Sequence, residues 1–366
     1  MTESSPNKVE IYSFFIHPNH VQELNSDIWC EDTVPAQLKV GKLRYFVELA
    51  YRGSHIRKLP KKSYRVIFKQ PRTFHCAREI HVNAEYYDPS IMRSKLSFDF
   101  FRELGVLSPD CFYCLVKING VSQGVYLQLE SVDELFFQKR GLMCRSIYYA
   151  VNDNANFSLI SPIHDDVKKR LDSGYELKFG DESETELLRK FILRLNTVSR
   201  ADFGEYIQEQ LNIEEYLHWL AGVVCTQNFD AFIQNYALYR NEQTGRYGII
   251  PWDYDATWGR DVRGKRLSHD YVPIEGYNTL SARLLDVPKF RKMYRTIIEE
   301  ILETTFTVEY IEPQVTRLYG LLRPYVSRDP VVSVNLRKFE GEPEVILNFI
   351  KKRNLYLKEH LNDLSV

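Results

Sequence analysis

With 366 residues, a formal net charge of −1 and 27% charged residues, the chain lacks the basic excess of a nucleic-acid-binding protein. Hydrophobic residues make up 44%, with 24 Tyr and 21 Phe; that is material for large cores and carries no functional message alone. The start, Met1-Thr-Glu-Ser-Ser-Pro-Asn-Lys8, has no apolar stretch, and the nearest thing to a membrane span, Tyr216 to Phe229, is short and broken by His218, Gln227 and Asn228. The expectation is cytoplasmic synthesis, with neither a membrane nor a nucleic acid as partner.

The first third reads as strands. Leu43, Tyr45, Val47, Leu49 and Tyr51 alternate with mostly polar neighbours, Phe46 being the exception. A basic, turn-like segment follows from Arg52 to Lys62, and Tyr64, Val66 and Phe68 resume the alternation. The next element is a helix. Asp88 suits its cap, Pro89 its first position and Gly105 its C′ position, and Met92, Leu96, Phe100 and Leu104 form an apolar stripe to lay on a sheet. Leu115–Ile118, Asn119-Gly120 and Val121–Leu129 read as a hairpin, because Asn-Gly accepts the positive φ of a type I′ turn.

From about residue 185 the periodicity is helical, over 184–196, 213–227, 288–302 and 344–361. A strand–turn–strand unit, 236–240 and 247–250, interrupts it. Six cysteines stand at 30, 76, 111, 114, 144 and 225. Cys111 and Cys114 form one C-x-x-C inside an apolar run, without the second pair that a zinc site needs, so reduced core thiols are expected. The histidines show no H-E-x-x-H spacing, which leaves His218 as a helix-face residue, and no G-x-S-x-G element points to a hydrolase.

The chemistry concentrates between 228 and 259. Asp230 follows a helix, Asn235 stands five residues later, and Asp253 follows the hairpin. That order suits phosphoryl transfer: an Asp to accept a hydroxyl proton, an Asn at D-x-x-x-x-N spacing, and a second Asp for a hard divalent cation. Asp255 shares a face with Asp253 if the segment is extended. Spacing alone leaves open that these aspartates are ordinary loop and cap residues.

Pro251-Trp252-Asp253-Tyr254-Asp255, Arg52-Gly53-Ser54, Lys61-Lys62-Ser63-Tyr64-Arg65 and Asp88-Pro-Ser-Ile-Met-Arg93-Ser-Lys95-Leu96 occur in this order along the chain. Together with Gly120, Gly124, Tyr126 and Glu130 they resemble the CotH family of atypical kinases, over roughly residues 40 to 325. The resemblance implies an α+β, two-lobed, protein-kinase-like fold. Residues 1–140 would be a β-rich lobe with one main helix that contacts nucleotide phosphates, and 141–366 a mainly helical lobe with the catalytic and metal residues. It implies transfer of the ATP γ-phosphate to serines of serine-rich spore coat proteins, needed for coat assembly, and so a location in the mother-cell cytoplasm and then the coat. The cofactors would be ATP and Mg²⁺ or Mn²⁺.

On the same basis Asp230 is the base, Asp253 the metal ligand in the role of the D-F-G aspartate, Asn235 the second ligand and Asp255 a further one. There is no G-x-G-x-x-G loop and no A-P-E, so phosphate contacts fall to basic side chains. Lys62 comes first and Lys61 second, on opposite faces of a strand, with Arg52 and Arg93 beside them. Asp99 and Glu103 are the candidate helix partners of that lysine, and Tyr148 and Tyr247 the candidate adenine contacts. A coat-assembly scaffold without activity and an AMP transferase on the same fold stay open as alternatives.

Overall fold

The computed structural model describes residues 9–365. Its strands β1 (Glu10–Ile16), β2 (Val34–Val40), β3 (Leu43–Arg52), β4 (Ser63–Phe68), β5 (Glu79–Asn83), β6 (Cys111–Ile118) and β7 (Val121–Glu130) form a closed barrel in the order β1-β2-β3-β4-β5-β7-β6. The β1–β6 pair is parallel, and the neighbouring pairs run antiparallel. Closure removes the sheet edges that an open arrangement would expose. Helix α1 (Pro18–Ser26) joins β1 to β2, and α2 (Arg93–Glu103) lies between β5 and β6.

The alternation expected in β3 holds from Val47 onward, whereas Leu43 at its start is exposed and Tyr45 half-buried. Val47, Leu49 and Tyr51 join the barrel interior with Phe14, Leu38, Val66, Val82 and Tyr126, whereas Phe46 faces out and is 70% exposed. Asn119 and Gly120 both have positive φ at the β6–β7 turn, as a type I′ hairpin requires. Cys111 and Cys114, three apart on β6, fall in different cores, so they face apart and share no ligand. Burial pushes the Cys111 thiol up to about 12.

The remaining elements build a second core. They are α3 (Glu134–Lys139), β8 (Cys144–Ala150), β9 (Ile160–Ser161), β10 (Asp166–Val167), β11 (Tyr175–Phe179), α4 (Glu182–Thr197), α5 (Phe203–Gln210), α6 (Ile213–Thr226), β12 (Tyr236–Asn241), β13 (Tyr247–Pro251), α7 (Thr279–Leu285), α8 (Pro288–Glu303), α9 (Val308–Val326) and α10 (Leu336–Glu359). The expected hairpin β12–β13 is half of a four-stranded sheet, β11-β8-β12-β13. The overall class is α+β, sheet-rich at the start and helical at the end.

Helix α2 differs from its expectation. It begins at Arg93 rather than Pro89, because Ile91 takes a left-handed φ of 57° and interrupts the first turn. It ends as expected: Gly105 N donates to Arg102 O and Val106 N to Phe101 O, the paired bonds of a Schellman stop. Its apolar stripe joins the second core. There α6 carries Gly222, where a Cβ would stand 2.3 Å from the Phe101 ring. A side chain at that position would push the two helices apart.

Candidate active site

Helix α6 is apolar on nearly every side and forms the centre of the second core. It stops at Gln227, which caps it in the left-handed conformation at φ 59°. The chain then turns through a 3₁₀ segment, Phe229–Phe232, that carries Asp230. Asn228, 1% exposed, donates from Nδ2 to the Asp253 carbonyl at 3.0 Å. Trp252 N donates to Asn235 O at 3.0 Å, closing the open end of the β12–β13 hairpin. These two bonds bring the Asp230 turn, Asn235 and the Asp253 segment together, although they are separated in sequence. Asn235 and Asp253 both hold positive φ, 60° and 59°. Asn tolerates that conformation well; for Asp it stores some strain, as functional loops often do.

Asp253 is exposed, and Asp230 and Asp255 are partly so. Asp255 is pushed well above the usual carboxylate range, first by burial and then by the charges of Asp253, Glu85 and Asp88. Glu85, which the sequence reading missed, is 6% exposed and is pushed up to about 8 by burial, with Asp88 and Asp253 adding to the rise. It accepts a hydrogen bond from the Ser94 hydroxyl at 2.7 Å and itself sits at φ 47°. Only that strained backbone and its place after β5 set it apart, and neither is visible in sequence.

Arg52 answers these carboxylates from the barrel. Burial pushes its guanidinium down from its ordinary value, and Asp253 provides the largest opposing attraction. It hydrogen-bonds Asn83 and lies 5.7 Å from the Trp252 ring centre. Lys61 is 4% exposed; its ammonium donates to Val125 O at 2.5 Å and pairs with Asp329 at 3.0 Å, with Glu85 as a further attracting charge. Gly124 makes that pair possible, because a Cβ there would stand 2.0 Å from Asp329 Oδ2. The Tyr126 ring lies 4.6 Å beneath the ammonium. Lys61, Gly124 and Tyr126, three of the motif positions, thus belong to one buried assembly. Lys62 turns the other way, donating to Arg57 O near the Tyr51 ring.

Some expected site residues do other work. Arg93 is fully buried and pairs with Asp88 at 2.6 Å and Glu342 at 2.7 Å, while its Nε donates to Thr257 O at 2.9 Å. With its donors so engaged it is a structural clamp rather than a phosphate contact. Tyr148 and Tyr247 are 1% and 2% exposed. Tyr148 reaches Thr185 on α4, and Tyr247 packs on Phe191 of the same helix at 4.8 Å. Both are core residues with no face open to an adenine. Asp99 pairs with Lys95 and Arg102, and Glu103 accepts from Tyr310, so neither partners Lys62 or Lys61.

The donor set fits a hard divalent cation: oxygen ligands that repel one another in partial burial want positive charge between them. Among the described residues no three His, Cys, Asp or Glu side chains form a ready metal cage. A cation here would therefore draw on Asn, water and phosphate oxygens as well, as Mg²⁺ commonly does.

Comparison with known proteins follows the same lines. The inner spore coat protein H of Bacillus subtilis is 51% identical over 354 residues, covering 97% of this chain and 98% of that protein. The inner spore coat protein H-like protein of the same organism is 25% identical, covering 78% of this chain and 81% of its own. Among solved structures, the Shewanella oneidensis HipA–HipB–operator complex matches at 12% identity and TM-score 0.43, over 100% of this chain and 77% of that one. The Helicobacter pylori proinflammatory kinase CtkA matches at 8% identity and TM-score 0.30, over 90% and 93%. No helix among the described residues is long and apolar enough to cross a membrane. The family described as CotH kinase protein matches residues 49–357, and this chain belongs to it.

Proposed function

We propose that this chain transfers the γ-phosphate of ATP to serine hydroxyls of other spore coat proteins. The barrel and the residues up to 140 would serve as the phosphate-contacting lobe of an atypical kinase, and residues 141–366 as the lobe with the reacting groups. The observation that carries this reading is the tie of the Asp230 turn to the Asp253 segment through Asn228, facing Arg52. Asp230 accepts the proton of the attacking hydroxyl. Asp253, with Asn235 and Asp255, holds Mg²⁺ or Mn²⁺, which when bound neutralises charge on the phosphates. Arg52 and a lysine, Lys61 or Lys62, orient those phosphates by charge.

The relatives named for the inner spore coat support coat proteins as substrates. Synthesis in the mother-cell cytoplasm and later incorporation into the coat belong to the same reading. Mass spectrometry of a serine-rich coat protein incubated with the chain, ATP and Mg²⁺ tests it. A gain of phosphate on serine is expected. A gain of AMP, or no gain, overturns it.

A further inference from the structure

The loop that follows the Asp253–Asp255 segment runs against α10, and the two flank an open cavity of about 540 Å³. Its wall is basic: Arg260, Arg266 and His269 come from the loop, and Arg337, Lys338 and Lys352 from α10. Two carboxylates also line it. Glu342 is already taken, since it pairs with Arg260 from the cavity side and with Arg93 from the core. That leaves Glu344 to answer several cations. Among the described residues, the side chains of Arg266, Arg337 and Lys352 make no ion pair or hydrogen bond. Lys338 has only a 3.4 Å contact with the Gly264 carbonyl. In a chain with net charge −1, such a local excess is not a by-product of composition.

A concave site with arginine forks and ammonium groups converging on one space suits a compact dianion with several acceptor oxygens. The volume is that of a small-ligand pocket, large enough for a modified side chain with its adjoining backbone. We propose that this cavity binds phosphoserine presented on a protein segment. The choice of phosphoserine over other anions rests on the reading of the chain as a serine kinase. Gly259, six residues after Asp253, lines the cavity, so a modified segment docked here is held by the same stretch of chain that carries Asp253. That arrangement favours repeated modification of one serine-rich chain.

The test is fluorescence anisotropy with a labelled serine peptide and its synthetic phosphoserine twin, using the full chain without ATP or Mg²⁺. The phosphorylated twin should bind about tenfold more tightly, the worth of one good charge-assisted contact. The Arg337→Ala/Lys352→Ala variant should lose that difference, and Lys352→Glu repeats the test should the double variant fold poorly. Equal binding of the two peptides overturns the proposal, as does a double variant that still prefers the phosphorylated one. Inorganic phosphate that displaces the peptide with an affinity equal to the peptide's own assigns the site to free phosphate and overturns the protein-borne ligand. Asp230→Asn should bind the phosphopeptide as the wild type does, so failure of the kinase reading does not obscure the result.

Discussion

Two charged assemblies stand side by side in this molecule and differ in balance. Asp88, Arg93, Arg260 and Glu342 form an alternating network of two arginines and two carboxylates, all at least 93% buried, since none exceeds 7% exposure. Beside Asp253, the carboxyls of Asp255 and Glu85 are raised by burial and by the neighbouring negative charges, and they are answered by Arg52 and by a Lys61 already committed to Asp329. The first assembly is neutral and almost wholly buried, with only its Arg260–Glu342 end reaching the basic cavity, and it holds α2, the 257–260 turn and α10 in register. The second is acid-rich and partly open, which leaves it suited to a cation and a phosphorylated ligand. Balance marks structure; imbalance at a surface marks chemistry.

The largest effects should come from the unbalanced assembly. Asp253→Asn is expected to abolish transfer and the metal-dependent part of ATP affinity while melting at or above the wild-type temperature, since it relieves backbone strain and like-charge repulsion. Asp230→Asn should lower turnover by about 10²- to 10⁴-fold, the usual contribution of a positioned base, while Mg²⁺–ATP still binds. Calorimetry of both variants with a nonhydrolysable analogue, with and without Mg²⁺, separates the roles. Equal loss of metal-dependent binding in the two would make Asp230 a ligand.

The balanced assembly should respond in stability. Arg93→Met strands Asp88 in the interior and leaves Glu342 with Arg260 alone, and breaking a buried network from one side costs about 3–5 kcal/mol. Chemical denaturation should show that loss directly. An Arg93→Met protein with wild-type stability and weakened ATP binding would restore Arg93 as a phosphate contact and break the comparison.

Lys61 and Lys62 lie between the two classes. Lys61→Met leaves Asp329 buried without its ion pair, so it should destabilise the chain by a similar ~3–5 kcal/mol. Lys62→Met removes a half-buried ammonium held by one backbone carbonyl, so its effect on stability should be within about 1 kcal/mol. Any rise in ATP KM from Lys62→Met alone would identify Lys62 as the phosphate lysine. A rise seen in Lys61→Met, measured where that protein is still folded, would give the role to Lys61.

These distinctions show how far the sequence could be read. The β3 alternation, the Asn119-Gly120 hairpin, the β12–β13 strands and helices α4, α6 and α8 follow from local periodicity and turn chemistry, and the structure has them. The barrel's closure was not legible, because the parallel β1–β6 pairing joins residues about a hundred positions apart. Helix α9 was missed because Pro313 and Pro324 stand inside it, and proline argues locally against helix. Asp230, Asn235 and Asp253 could be nominated from spacing only together with the family resemblance, and the bonds through Asn228 and Trp252 that bring their segments together have no signal in the sequence. Whether Arg93 contacts a ligand or clamps the fold depends on Glu342, which is far away in sequence and carries no signal of its own.

The smallest expected effects concern the two tyrosines, and they test the boundary of the site from the other side. The Tyr148 hydroxyl makes a long contact of 3.4 Å with Thr185 Oγ1 and also meets the Ser146 hydroxyl, so Tyr148→Phe should cost about 0.5–1 kcal/mol. Tyr247 buries its hydroxyl without a hydrogen-bond partner among the described residues. A buried hydroxyl without a partner costs about 1–3 kcal/mol of desolvation, and phenylalanine keeps the ring while removing that group. Tyr247→Phe should therefore raise stability by about 1 kcal/mol, which denaturant titration resolves as a higher midpoint at unchanged slope. Neither substitution should alter ATP affinity, since both rings face α4. A loss of nucleotide binding in Tyr247→Phe without loss of stability would mean that the ring turns toward the ligand, and the boundary drawn here between core and site would move to include it.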